Sequence, residues 1–113
     1  MSRLPRLTRR LVLEAPQRAP DGAGGFVDSW AALGTLWAEV VARSGRERAG
    51  AGGALSHVPY RITVRGAPAG APSRPRPEQR FREGARIFRI LSVAEADAQG
   101  HYLICQAEEE GAA

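Results

Sequence analysis

The sequence predicts a mainly β protein, a small antiparallel β-barrel or sandwich of five to seven strands with one short helix and long loops. The chain has 113 residues, which suits a single domain. Several short runs alternate apolar and polar residues with the period of two that a half-buried strand requires. Clusters of glycine and proline separate these runs, as they do in small all-β domains.

The first third of the chain contains two strand candidates. After a polar, flexible arm at residues 1–8, alternation over residues 9–15 predicts a short strand. Residues 16–25 hold two prolines, an Asp-Gly pair and a Gly-Gly pair, and they predict a loop. Alternation over residues 35–42 predicts the next strand, although frequent alanine and leucine leave a helix over residues 28–43 as the alternative.

The middle of the chain combines an ambiguous segment, a clear strand and a long loop. Residues 44–57 begin with the spacing of a capping box but contain four glycines, so they predict either a short helix or a mobile loop. Residues 58–65 alternate apolar side chains with Arg61, Thr63 and Arg65, which predicts a strand with one basic face. Residues 66–77 contain half of the eight prolines and predict an exposed, extended loop with nothing to bury.

Three further strands follow. They are expected at residues 78–83, at residues 85–93, whose apolar side chains fall on both faces, and at residues 101–107. A turn at residues 97–100 separates the last two strands. Residues 108–113 begin with three glutamates and predict an acidic tail.

The residue content argues against an enzyme. Cysteine occurs once and histidine twice, without the Cys-x-x-Cys or His-x-x-x-His spacing of a metal site. His101 and Cys105 lie about 13 Å apart on an extended strand, too far for a nucleophile and its base. Cys105 is therefore expected to be a small buried hydrophobic residue. The glycine clusters at 21–25 and 50–53 lack the lysine of a phosphate-binding loop, so no catalytic residue, metal or cofactor is predicted.

Arginine is the strongest remaining signal. All 16 basic residues are arginine, and the net charge is +4. A GC-rich genome explains the absence of lysine, whereas a functional explanation is the bidentate pairing of arginine with carboxylates and phosphates. Arg61 and Arg65 share one strand face, and Arg74 and Arg76 lie in the proline-rich loop. Both groups are either solvated or in contact with a phosphate backbone. No run is long enough to span a membrane, and we expect a protein that folds in the cytosol.

A set of short motifs in a fixed order extends from about residue 9 to residue 107. They are Asp21-Gly22 with Gly24-Gly25, Trp30, LWAEV at 36–40, SGRE at 44–47, ITVR at 62–65 and RIFRI at 86–90. In this order they resemble the phage head–tail joining family, whose members are also called head–tail adaptors or stoppers. The arginine-rich and alanine-rich composition is similar to that of alphaproteobacterial gene transfer agents, which are phage-derived particles.

The resemblance implies a structural, non-enzymatic subunit at the head–tail junction of a virion or phage-like particle. Such subunits form a homo-oligomeric ring, a hexamer or dodecamer, with portal and adaptor proteins above and the tail terminator or tail tube below. Double-stranded DNA passes through the lumen without sequence-specific contacts, and a loop closes the lumen in stoppers. The loop at residues 66–77 corresponds to that gate, which makes Arg74 and Arg76 candidate DNA-channel residues. Gly66 departs from the family, which often has an aromatic residue there.

Ring closure also requires two different, complementary patches on each subunit. The sequence offers a basic strand face with Arg61 and Arg65, and an acidic segment with Glu108, Glu109 and Glu110, as candidates for this inter-subunit contact. The alternative function is a small OB-like nucleic-acid-binding barrel. That alternative predicts exposed aromatic side chains on a strand face and salt-sensitive binding by the monomer.

Overall fold

The structure, a computed structural model, describes residues 4–43 and 58–110. Its strands are β1 (Arg9–Pro20), β2 (Phe26–Ala42), β3 (Val58–Arg65), β4 (Arg80–Glu83), β5 (Arg86–Glu95) and β6 (Tyr102–Glu110). They form a closed antiparallel barrel in the order β1-β2-β3-β6-β5-β4, which confirms the predicted fold class. The described residues contain no helix, and the segment 44–57, where a helix was expected, lies outside them.

Alternate side chains of every strand fill the barrel. Phe81 of β4 lies opposite Phe88 of β5, and both rings are fully buried. The ring of Tyr60 on β3 packs edge-on against Phe88, with centroids 5.2 Å apart. Cys105 is also fully buried, and burial raises the pKa of its thiol to about 12, which confirms it as a small hydrophobic residue. The full core comprises Leu11, Leu13, Ala38, Ile62, Val64, Phe81, Phe88, Ile90, Leu103, Cys105 and Ala107.

A chain of ion pairs covers one end of the barrel. Its four charged residues each lie two positions from a core residue, so their side chains point to the same side of the sheet as the core. The Arg9 guanidinium donates two hydrogen bonds to Glu83, at 2.8 and 2.7 Å. Arg86 donates two to Glu109, at 2.8 and 3.1 Å, and its Nη1 lies 3.7 Å from the Glu83 carboxylate. We call these four residues the polar cap.

The proline-rich loop lies at the opposite end of the barrel, where β3 ends and β4 begins. Residues 66–77 form no strand, as predicted, and most of them are exposed. The expectation that this loop has nothing to bury is wrong, because Pro75 is fully buried. The backbone N–H of Gly66 donates to the carbonyl oxygen of His101 at 2.7 Å, which holds the start of the loop to the turn before β6.

β1 is longer than predicted. It continues through Pro16 to Pro20, so only residues 21–25 form the turn into β2. Proline has no N–H to donate and is tolerated on an edge strand. Beyond residue 14, β1 is such an edge, because β4 pairs with it only at residues 12–14.

β2 is also longer than predicted, and the alternative of a helix over residues 28–43 is wrong. The strand starts at Phe26 and pairs with β1 as far as Ala38, with one register shift beside Leu13. Leu33 is the extra residue of this β-bulge. Gly34, which follows it, has a φ of +151°, a value that residues with a side chain rarely adopt.

The predicted acidic tail at residues 108–113 begins as part of a strand. Glu108, Glu109 and Glu110 are the last residues of β6, and residues 111–113 lie outside the described chain. β6 continues because all three glutamates face arginine. The Arg89 guanidinium lies 3.6 Å from both Glu108 and Glu110, and Arg86 pairs with Glu109.

The polar cap makes the stability of the fold depend on pH. Hydrogen bonds from Arg9 and Arg86 hold the pKa of Glu83 and Glu109 below their usual value of 4.5. Carboxylates with a lowered pKa stabilise the fold above that value, and the contribution is lost as the pH falls through the folded-state pKa. We expect the melting temperature to be level between pH 7 and about 5 and to fall below that.

The variant Glu109→Gln tests this cause. It should melt below the parent at neutral pH, and the difference should close as the pH falls through the lowered folded-state pKa of Glu109, where the parent carboxylate also becomes uncharged. Glu95→Gln, at an exposed position of β5, is the control and should keep the parent profile. Thermal unfolding followed by circular dichroism provides the measurement, and a gap that persists unchanged in acid would refute the account.

Candidate assembly surface

The β1–β2 hairpin extends beyond the barrel. β4 pairs with β1 no further than Glu14, and β3 pairs with β2 only from Ala38 onward. Between residues 15 and 33, among the described residues, β1 and β2 pair only with each other. We call residues 15–33 the hairpin arm. The molecule is accordingly elongated, at 57 × 39 × 22 Å. A two-stranded ribbon is marginally stable alone in water, so an arm of this kind benefits from a partner surface.

The turn at the tip of the arm is fixed by Asp21. Its Oδ1 atom accepts hydrogen bonds from the backbone N–H groups of Ala23, at 2.8 Å, and Gly25, at 3.0 Å. These bonds lower the pKa of the Asp21 carboxyl below its usual value. Gly22 and Gly24 both have positive φ, at 84° and 89°, which explains the glycines of this turn.

Three large aromatic side chains lie along the outer face of β2. Phe26, Trp30 and Trp37 are 61%, 39% and 54% exposed, and the last two are the only tryptophans of the chain. The β-bulge keeps them on one face, because it shifts the alternation between Trp30 and Trp37 by one residue. Aromatic side chains are enriched at protein interfaces. We call these three residues the aromatic face.

A charged cluster fixes the root of the arm to the barrel. The carboxylate of Glu14, which is buried, accepts hydrogen bonds from Arg80 at 2.7 Å and from Arg82 at 2.8 Å. Burial raises the pKa of Glu14, but the two arginines more than offset it, so the pKa is lowered. The Arg80 guanidinium also lies 4.0 Å from the ring centroid of Trp30. One arginine of β4 therefore contacts both strands of the hairpin.

The DNA-channel candidates lie in different environments. Arg74 is half-buried, and its Nη1 donates to the carbonyl oxygen of Ala67 at 2.9 Å within the loop. Arg76 is exposed, and its backbone N–H donates to the side-chain oxygen of Gln79 at 2.9 Å. Of the two, Arg76 is the more exposed.

The two candidate interface groups lie on neighbouring strands of one wall. Arg61 and Arg65 are exposed on β3, next to β6, which carries the acidic residues 108–110. Those glutamates already pair with Arg86 and Arg89 of the same chain. The structure thus gives the acidic segment an internal role that sequence reasoning did not anticipate.

Metal-ligating side chains are not clustered in the part of the chain that the structure describes. In residues 4–43 and 58–110, no group of three or more His, Cys, Asp or Glu side chains could hold a metal ion. His101 lies 3.2 Å from Asp97 in the turn before β6. The same residues include no helix that is long and apolar enough to cross a membrane.

The fold is a small closed barrel with a projecting hairpin that exposes aromatic side chains. A family model described as "Phage head completion protein" matches residues 3–110, and the chain therefore belongs to this family. Membership makes it a structural head component of a phage or phage-like particle. The resemblance that the ordered motifs indicated is confirmed.

Two solved structures are similar to the chain. One is a chain of the "Virion of native gene transfer agent (GTA) particle", which is 63% identical with a TM-score of 0.81, over 97% of this chain and all (100%) of that one. The other is protein SF1141 from Shigella flexneri 2a, which is 21% identical with a TM-score of 0.69, over 99% of this chain and 100% of that one. The second likeness concerns the fold alone. The search of curated proteins gave no match.

The root of the arm should be sensitive to charge removal. Glu14→Gln leaves two arginines without their buried carboxylate, and we expect a loss of about 2 kcal/mol in the free energy of unfolding. Asp28→Asn is the matched control, because Asp28 pairs with Arg18 at 3.2 Å on an exposed part of the arm. That variant should lose less than about 0.5 kcal/mol. Urea unfolding measures both, and equal losses would contradict the structural role of Glu14.

Proposed function

We propose that the chain is a connector subunit, an adaptor or stopper, at the head–tail junction of a gene transfer agent or related phage-like particle. The observation that carries this proposal is the 63% identity to a chain of a gene transfer agent virion over 97% of the sequence. At that identity, two chains have the same fold and closely related surfaces. The family has a structural role, and the expectation that the protein is not an enzyme rests on membership of this family.

The proposed assembly is a homo-oligomeric ring, a hexamer or dodecamer, between the portal region and the tail. The shape of the subunit supports this arrangement, because a barrel with a long arm can contact a neighbour at two separate places. Phe26 and Trp30 of the aromatic face give the arm exposed aromatic side chains of the kind found at interfaces. Arg61, Arg65 and the glutamates at 108–110 remain proposed contributors of charge to the contacts between subunits.

The proposed ring surrounds double-stranded DNA, and the loop at residues 66–77 is the candidate for the segment nearest to it. Phosphate contacts need positive charge and reach but no base-reading geometry. Arg76 meets both needs through its exposed side chain. Arg74 would act by shaping the loop, because its guanidinium is bonded to the backbone of Ala67.

One observation favours the second candidate, an OB-like nucleic-acid-binding barrel. The aromatic face has the exposed rings on a strand that this function requires, and Arg18 lies 5.2 Å from the ring of Phe26. The isolated monomer would then bind single-stranded DNA, with affinity falling steeply as salt is added. Absence of binding by the monomer at low salt would remove this candidate.

The connector role is tested in particles from the source organism. We expect mass spectrometry to find the chain in purified particles, and deletion of its gene to yield heads without tails. Complementation with the parent gene should restore tailed particles. If the chain is absent from the particles, and tailed particles still form after deletion, the proposal is wrong.

The DNA-channel role is tested by Arg74→Ala combined with Arg76→Ala. We expect particles that assemble but lose packaged DNA or eject it differently, because two positive charges are removed beside the channel. Arg6→Ala combined with Arg43→Ala removes the same charge away from the loop and should behave like the parent. DNA content per particle gives the measurement, and parent-like retention and ejection by the loop variant would contradict the role.

A further inference from the structure

The ladder between β1 and β2 is interrupted where the hairpin arm begins. Leu33, the extra residue of the β-bulge, lies next to the pair that Ala32 makes with Glu14. A bulge disrupts the ladder of hydrogen bonds and lets the strand bend. On the tip side of the bulge, the pairing continues without a further register shift to the turn. A change in the direction of the arm is therefore concentrated at Leu33.

The bulge divides the aromatic face into two parts. Phe26 and Trp30 lie on the arm, whereas Trp37 lies on the barrel side of the bulge, next to the point where β3 begins to pair with β2. The position of the first two rings relative to the third depends on the direction of the arm. Because a two-stranded ribbon is marginally stable alone, that direction requires a contact between the arm and the barrel.

Arg80 makes such a contact. It belongs to β4, which pairs with β1 and β5 but not with β2. Its Nε donates to the Glu14 carboxylate at 2.7 Å, and its guanidinium carbon lies 4.0 Å from the ring centroid of Trp30. Trp30 lies opposite Pro16, which is beyond Glu14 on β1. The Arg80 side chain therefore crosses β1 diagonally and reaches the arm on the far side of the bulge.

The neighbouring arginines do not make this connection. Arg82 donates to the same Glu14 carboxylate at 2.8 Å, but the arginines that lie over aromatic rings in the described residues are Arg18, Arg80 and Arg86. Arg18 contacts Phe26 and Asp28, which are both in the arm. Arg86 lies over rings of β3 and β5, within the barrel. Among these contacts, only that of Arg80 joins the arm to the barrel.

We propose that Arg80 is a positioning residue, which sets the direction in which the hairpin arm leaves the barrel by stacking on Trp30 while it is bonded to Glu14. The bulge at Leu33 is the pivot. The carboxylate fixes the plane of the guanidinium, and a fixed guanidinium holds the ring that stacks on it. The two parts of the aromatic face are thereby aligned before any partner binds, which lowers the cost of binding. This role concerns the free subunit, so its test is independent of the connector function.

Distances between the arm and the barrel test the role. Spin labels are attached to Ala23→Cys, at the tip of the arm, and to Ala94→Cys, at an exposed position of β5. Cys105 is fully buried and should not be labelled, and the parent protein checks this. Pulsed electron paramagnetic resonance measures the distance distribution. We expect a narrow distribution with Arg80 in place, and a shifted and broader one when Arg80→Ala is added.

Arg82→Ala is the matched control, because Arg82 bonds the same carboxylate without stacking on Trp30. It should also lower the free energy of unfolding but should keep the parent distances. Parent-like distances in Arg80→Ala, or equal broadening in Arg82→Ala, would overturn the proposal.

Variants of the ring give a second test that leaves both arginines in place. Trp30→Ala should show the shifted and broader distances of Arg80→Ala. Trp30→Phe should keep those of the parent, because a phenyl ring still offers a face to the guanidinium. Trp30 is outside the core, so these variants decide the matter even if Arg80→Ala does not fold. Parent-like distances in Trp30→Ala would refute the role.

Fluorescence quenching tests the stacking contact itself. In the variant Trp37→Phe, Trp30 is the one remaining tryptophan. Arg80 lies over its ring, so adding Arg80→Ala should increase quenching of the Trp30 fluorescence by acrylamide. Adding Arg82→Ala should leave the quenching unchanged. If quenching is the same with and without the Arg80 side chain, the arginine does not cover the ring in solution, and the proposal is wrong.

Discussion

The barrel depends on the closure made by β4, a strand of four residues between β1 and β5. Its side chains alternate between the inside and the outside of the barrel. Phe81 fills the core, and Glu83 joins the polar cap, whereas Arg80 and Arg82 hold the carboxylate of Glu14 outside the barrel. Without β4 the sheet would expose two edges and the core beneath them. The same short strand therefore closes the barrel and orients the hairpin arm, which links the stability of the fold to the position of the proposed assembly surface.

Many arginines of this protein stabilise the fold through ion pairs. The arginines of β1, β4 and β5 that make ion pairs do so with carboxylates on neighbouring strands. Most of these pairs have bidentate or shared geometries suited to a planar guanidinium. Only some of the remaining arginines, such as Arg61, Arg65 and Arg76, direct exposed side chains away from the barrel. The number of arginines in the sequence is therefore a poor guide to DNA contact, because many of them are paired with carboxylates in the barrel wall.

The sequence was a good guide wherever alternation was strong. The strand at residues 58–65 matches β3, and the strands after it were placed close to their positions. It failed where prolines at 16 and 20 suggested a loop, because an edge strand accepts proline and these two residues pair with Trp30 and Phe26 of the next strand. The alternation around Leu36 and Val40 also placed Trp37 on the opposite face of the strand from these two residues. The sequence could not show that this face is uncovered, whereas in the barrel no described residue covers Trp37.

The central claim is that the hairpin arm, which carries Phe26 and Trp30 of the aromatic face, is covered in the particle while the barrel itself is complete. Hydrogen exchange tests it most directly, by comparing the amides of residues 15–33 in the isolated protein and in intact particles. The account predicts a large gain of protection in the particle for this arm, where strand edges lack a partner, and little change at core positions of β6, such as Leu103. Equal protection of the arm in both states would contradict the account, because it would mean that no partner covers this surface in the particle.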